Sequence, residues 1–205
     1  LGISFPEIYN MQVRAIIEAA LICKSQEIVV YPEIMIPLVS LVGEFTEIKK
    51  QIKCVIDEVF NENSDSIDYK IGTMIELPRA AITAGDFATE ADFFSFGTND
   101  LTQTTFGISR DDGGRFISEY LENEILSCDP FVSIDQSGVG FLVKYATKEG
   151  RLKNPDLHIG ICGEHGGDPQ SIAFCHQIGL DYVSCSPFRV PVARLSAAQI
   201  SIKNA

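Results

Sequence analysis

Asp92-Phe93-Phe94-Ser95-Phe96-Gly97-Thr98-Asn99-Asp100-Leu101-Thr102-Gln103 runs from an apolar strand straight into a helix. The strand reads as Phe93 to Gly97 and the helix as Asn99 to Phe106. Upstream, Ile71 to Glu76 is a second strand, and Pro78 opens a short helix behind it. Further upstream, a strand around Ile34 to Val39 is apolar throughout, as a strand buried on both faces is. Behind it Phe45, Ile48, Ile52, Val55 and Val59 recur at spacings of three and four, an amphipathic helix. Asn61 to Asp65 is a polar connection. Downstream, His158 to Gly163 is a strand and Asp168-Pro169 start a helix. Tyr182 to Cys185 is the last strand and Pro187 to Ile202 the last helix.

Two capping boxes are legible. Ser4 and Glu7, with Pro6 in the first turn, open a helix carrying Ile8, Met11, Ala15 and Ala19. Ser133 and Gln136 open one running to about Glu149. Five strands, each followed by a helix, make an α/β fold with a parallel sheet and right-handed crossovers. Two architectures fit: an open doubly wound sheet, or part of an eight-stranded (β/α) barrel. A complete barrel takes about 250 residues, so five units cannot close one. The chain starts at Leu1 with a helix rather than a strand, so the fold is expected to begin upstream. The segment Ile108 to Cys128 breaks the rhythm. It is polar, carries Gly113-Gly114 and a short helix, and is expected to act as a mobile flap over the strand ends.

Composition narrows the function. The net charge is −12 over 205 residues, which argues against nucleic acid. The most apolar stretch, Ile28 to Val42, is interrupted by Pro32, Glu33 and Pro37 and is too short for a membrane span. Six scattered cysteines suit reduced thiols in a cytoplasmic protein better than a disulfide framework.

In parallel α/β folds, functional groups gather at the carboxyl ends of strands. Here those ends carry Glu76, then Gly97-Thr98-Asn99-Asp100, then Cys162-Gly163-Glu164-His165, then Cys185-Ser186. Glu76 and Asp100 end consecutive strands, about 4.8 Å apart in a sheet, and could share one cation. Equally, Glu76 could pair with Arg79, and Asp100 could be a helix N-cap. Cys162 is either a small buried hydrophobe or a proton carrier. Cys162, His165, Cys175 and His176 are an alternative set of zinc ligands. Adjacent Cys175 and His176 point about 100° apart on a helix, which disfavours them.

Gly72-Thr73-Met74-Ile75-Glu76-Leu77-Pro78-Arg79-Ala80-Ala81 and the opening block resemble the signatures of the phosphoenolpyruvate-utilising enzymes. Gly160-Ile161-Cys162-Gly163-Glu164-His165-Gly166-Gly167-Asp168-Pro169 and Tyr182-Val183-Ser184-Cys185-Ser186-Pro187-Phe188-Arg189-Val190-Pro191 are similar to the dikinase branch of that family. The resemblance implies that residues 1–205 are the C-terminal part of a phosphoenolpyruvate/pyruvate-binding (β/α)8 TIM-type barrel. It implies Mg²⁺ held by Glu76 and Asp100. Gly97, Thr98 and Asn99 would contact substrate, partly through backbone, beside the metal ligands. Cys162 would exchange a proton with the methyl carbon, supported by Ser95 and Tyr182. The activity implied is reversible phosphoryl transfer from a phosphohistidine to pyruvate enolate, within conversion of ATP, phosphate and pyruvate to AMP, diphosphate and phosphoenolpyruvate. Two phosphoryl-gripping arginines, the ATP-binding domain and the phosphohistidine domain would lie outside these residues. A homodimer is implied too. The alternatives are a synthase of the same family, which uses water in place of phosphate, and a non-catalytic dimerisation module.

Overall fold

A computed structural model describes residues 1–203. Helix α1 (Pro6–Ser25) precedes β1 (Glu33–Ile36), α2 (Val42–Asn63), β2 (Lys70–Ile75), α3 (Pro78–Ile82), α4 (Ala84–Ala88), β3 (Phe93–Gly97) and α5 (Thr98–Phe106). Two short helices follow, α6 (Arg110–Gly113) and α7 (Ile117–Glu122), then α8 (Val139–Lys153), β4 (His158–Cys162), α9 (Pro169–Gln177), β5 (Tyr182–Val183) and α10 (Val190–Lys203). The strands form one parallel sheet in the order β1-β2-β3-β4-β5.

That order decides between the two architectures. A doubly wound sheet reverses strand order at a switch point. Here each strand lies beside its predecessor, and right-handed crossovers then carry every helix to the same face. This is the winding of a barrel wall. Ile34, Ile36, Ile71, Ile75, Phe94, Phe96, Ile159 and Ile161 point to the helices and join the core with Phe45, Ile52, Phe87 and Val143. The opposite residues, Gly72, Met74, Phe93, Ser95, Gly160 and Tyr182, form the inner face. Their grouping is visible in the close approaches: a Cβ on Gly72 would meet the Phe93 ring, and one on Gly160 the Tyr182 ring.

Several boundaries differ from the sequence reading. The Ser4–Glu7 box does not form. Pro6 takes the first helical position, which suits its fixed φ, so the N-cap is Phe5 and has no side-chain cap bond. The Ser133–Gln136 box does not form either. The Asp135 carboxylate accepts the N–H groups of Ser137, Gly138 and Val139, a stronger acceptor than a hydroxyl. Ser133 donates to Asp168 instead, and α8 starts at Val139 and runs to Lys153. The first strand stops at Ile36, because Pro37 has no N–H to pair, and only Ile34 and Ile36 in it are buried. It is therefore an edge strand, not one covered on both faces. The last strand is two residues long. Helix α2 extends through Asn63 into the expected connection. The final helix is split, a 3₁₀ turn at Pro187–Arg189 preceding α10.

The sheet has two unpaired edges, β1 and β5, flanked by exposed Val29, Tyr31, Leu38 and Phe188. Open edges and apolar flanks recruit partners. Residues 1–205 prepared alone are expected to self-associate, with a sedimentation coefficient that rises with protein concentration; a concentration-independent monomer would contradict this.

Candidate active site

Three strand ends build the site. Glu76 follows β2, Gly97 ends β3, and Cys162 ends β4 in register with Gly97. The middle position has no side chain, so a gap is left between the carboxylate and the thiol. A Cβ at Gly97 would sit 2.5 Å from Glu76 Oε2 and 2.5 Å from Met74 Sδ. Any larger residue here forces the carboxylate aside.

Glu76 is only 3% exposed. One oxygen accepts the Leu38 backbone N–H at 2.7 Å. That N–H is aimed by a left-handed turn, with Leu38 at φ 51°. The Asp100 carboxyl, on the first turn of α5, is near enough for its charge to act on Glu76. Burial first, then the charge of Asp100, push the Glu76 carboxyl up to about 7, against the opposing pull of the Leu38 N–H. Arg79 does not pair with Glu76; its guanidinium reaches the Ser40 carbonyl. Asp100 is not the N-cap of α5, a position held by Gly97.

Cys162 Sγ donates to the Phe96 carbonyl at 3.4 Å. Burial raises its pKa, the Ser95 hydroxyl pulls it back, and the charges of Glu76 and Asp100 raise it again. Burial raises the pKa of the Tyr182 phenol and the Ser95 hydroxyl pulls it back. Ser95, Gly160 and Tyr182 are cross-strand neighbours in one row. The glycine in the middle lets the Tyr182 ring, stacked on His158 at 5.0 Å, lie across β4 toward Ser95. Thr98 Oγ1 donates to the Cys162 carbonyl at 3.0 Å, and Asn99 Oδ1 accepts the Glu164 N–H at 3.4 Å. Glu76, Gly97, Thr98, Asn99, Asp100 and Cys162 thus gather at one end of the sheet, with Ser95 and Tyr182 one row below them on the inner face.

The zinc alternative does not assemble. His165 is fully buried, its Nε2 2.9 Å from the Pro130 carbonyl. Cys175 is buried within α9. Among the described residues no three His, Cys, Asp or Glu side chains cluster as metal ligands. Two contributors escaped the sequence reading. The Leu38 N–H is a backbone group, invisible in residue identity. Gln103 donates to Asp100 Oδ1 at 2.9 Å; it stood inside the opening block, but no role was attached to it.

The family profile described as "PEP-utilising enzyme, PEP-binding domain" matches residues 1–202. The chain belongs to the phosphoenolpyruvate-utilising enzymes. It is 58% identical over 200 residues to pyruvate, phosphate dikinase, chloroplastic, of Mesembryanthemum crystallinum, covering 98% of this chain and 21% of that protein. It is 58% identical over 202 residues to pyruvate, phosphate dikinase 2 of Zea mays, covering 98% and 23%. Pyruvate, phosphate dikinase of Clostridium symbiosum is 55% identical over 205 residues, covering 100% and 24%. The chain therefore spans under a quarter of the length of these relatives. No described helix is long and apolar enough to cross a membrane.

The Glu76 environment of this phosphoenolpyruvate-utilising domain has a measurable signature. The folded chain keeps a proton on Glu76 up to about pH 7, while the unfolded chain releases it near the ordinary 4.5. Unfolding then releases a proton between these values, so this group's contribution to stability falls as pH rises through them. With divalent ions chelated, the wild-type domain is expected to lose more urea resistance from about pH 5 to 8 than Glu76→Gln, whose stability should be flatter; parallel curves would contradict the assignment.

Proposed function

We propose that this domain binds phosphoenolpyruvate and pyruvate and carries out the enolisation half of the pyruvate, phosphate dikinase reaction. The observation that supports it most directly is the facing pair across Gly97: the buried Glu76 carboxyl with half-buried Asp100 on one side, and the Cys162 thiol, its pKa raised, on the other. The other half-reaction, which uses ATP and phosphate to charge a histidine, belongs to parts of a longer chain. The relatives named above are dikinases, which favours dikinase over synthase.

The donor set fits Mg²⁺. A buried carboxyl, Glu76, lies beside a half-buried one, Asp100, with no described cation to balance them, and Mg²⁺ takes one or two carboxylates with water and substrate oxygens completing its shell. Glu76 and Asp100 are the residues that would hold it. Once bound, Mg²⁺ supplies Lewis-acid stabilisation of negative charge on substrate oxygens.

The chain's own residues do the rest. Gly97, Thr98 and Asn99 open α5 and present free backbone N–H groups toward an anion. The Thr98 hydroxyl is already used on the Cys162 carbonyl, so its contact to substrate is through the backbone. The same bond fixes the thiol's end of β4. In the direction of pyruvate formation, Cys162 Sγ–H gives its proton to carbon 3 of the enolate. In the reverse direction, the thiolate takes a methyl proton. A pKa raised by burial keeps the thiol loaded as an acid, and Ser95, steadied by Tyr182, moderates that rise so that the proton can still leave. A dimer partner and a visiting phosphohistidine domain belong to this reading.

In the complete enzyme, Cys162→Ala is expected to slow solvent exchange of the pyruvate methyl protons by about 10²–10⁴-fold, the usual contribution of a positioned acid–base group. Histidine phosphorylation by ATP should be unaffected. Methyl exchange at the wild-type rate would show another residue to be the carrier.

A further inference from the structure

Gln103 lies one turn along α5 from Asp100, on the same face. Its Nε2 donates to Asp100 Oδ1 at 2.9 Å, and its Oε1 accepts the backbone N–H of Arg110 at 2.7 Å. A carboxylate needs a donor and an N–H needs an acceptor, so a primary amide serves both at once. Its orientation follows from its two partners. The Gln103 backbone carbonyl also takes the Ile108 N–H, at 3.0 Å, beyond the left-handed Gly107 that ends α5.

Arg110 begins α6, the first piece of the irregular segment. Its guanidinium reaches Glu164 Oε1 at 3.4 Å, two residues past Cys162, and the Glu164 N–H returns to Asn99 Oδ1. The bonds thus close a ring: Asp100, Gln103, Arg110, Glu164 and Asn99, which adjoins Asp100. The ring spans both halves of the site. It also anchors the segment, which with Asp168 and Arg189 borders a cleft of about 400 Å³ at this end of the sheet.

We propose that Gln103 is a positioning residue with two linked tasks. It holds the Asp100 carboxylate for the divalent ion, and through the Arg110 N–H it couples occupancy by that ion to ordering of residues 108–122. The proposal rests on the reading of Glu76 and Asp100 as the Mg²⁺ ligands. Partners that orient metal ligands are worth about 10–100-fold in affinity when removed. Coupling between two equilibria is reciprocal, so loosening the segment must weaken the ion's binding by the factor with which the ion tightens the segment.

The test uses the complete enzyme, with Mg²⁺ binding measured by calorimetry and amide hydrogen exchange followed in residues 108–122. In wild type, Mg²⁺ is expected to slow exchange there. Gln103→Met, similar in size but without the amide, should bind Mg²⁺ at least about tenfold more weakly and show no exchange response at saturating Mg²⁺. Arg110→Pro removes the N–H at the other end of the bridge while suiting the first position of a helix, and should weaken Mg²⁺ binding although it touches no ligand. Wild-type affinity with an intact exchange response in both variants would overturn the proposal. Weakened binding in Gln103→Met with the response preserved would overturn the coupling. If Asp100→Asn left Mg²⁺ binding unchanged, the metal reading itself would fail, a result distinct from either.

Discussion

A carboxyl group with 3% of its surface exposed cannot stay charged beside a second carboxylate unless something balances it. The mouth of this sheet is organised around that constraint at Glu76. The backbone turn at Leu38 contributes an N–H, and Gly97 gives up its side chain to make space. The remaining imbalance raises the Glu76 carboxyl to about 7. Under the proposed function, removing that imbalance is the task of a divalent cation. The raised thiol at Cys162 follows from the same source, since the two carboxyl groups add to its burial.

A second regularity underlies the first. On the inner face, glycines stand where a neighbouring strand carries a large side chain: Gly72 against Phe93, Gly97 against Met74 and Glu76, and Gly160 against Tyr182. Each vacancy lets one side chain cross the strand beside it. The Tyr182 ring reaches Ser95 because Gly160 does not block it, and Ser95 in turn tunes the thiol one row above. The row of Gly97 and Cys162 and the row of Ser95, Gly160 and Tyr182 are therefore set by strand register, which depends on the buried isoleucines and phenylalanines of the opposite face.

Much of this was legible before any coordinates. Phe93–Gly97 stood out because it is apolar on both faces and stops at a glycine, and all five strands were found. The grouping of Glu76, Gly97, Asp100 and Cys162 was legible because strand ends in a parallel sheet share one side. Boundaries were harder where two residues competed for one role. Ser4 lost to the geometry of Pro6, and Ser133 lost to the stronger acceptor Asp135. The choice between open sheet and barrel wall needed the strand order, which periodicity does not encode. The Leu38 contact was beyond reach for a different reason: a main-chain donor leaves no mark in the side-chain alphabet.

That donor has a consequence for how the site tolerates change over evolutionary time. The tether on Glu76 is written in backbone conformation at Leu38, a residue whose own side chain is exposed. Selection acting on this position therefore sees shape rather than chemistry. Glycine or asparagine, which enter the left-handed region at low cost, preserve the bond and relieve strain. Proline deletes it, having no N–H to give and a φ locked elsewhere. The anchor of the most demanding side chain in the site is thus open to residues that tolerate a left-handed backbone, costly for β-branched ones and closed to proline.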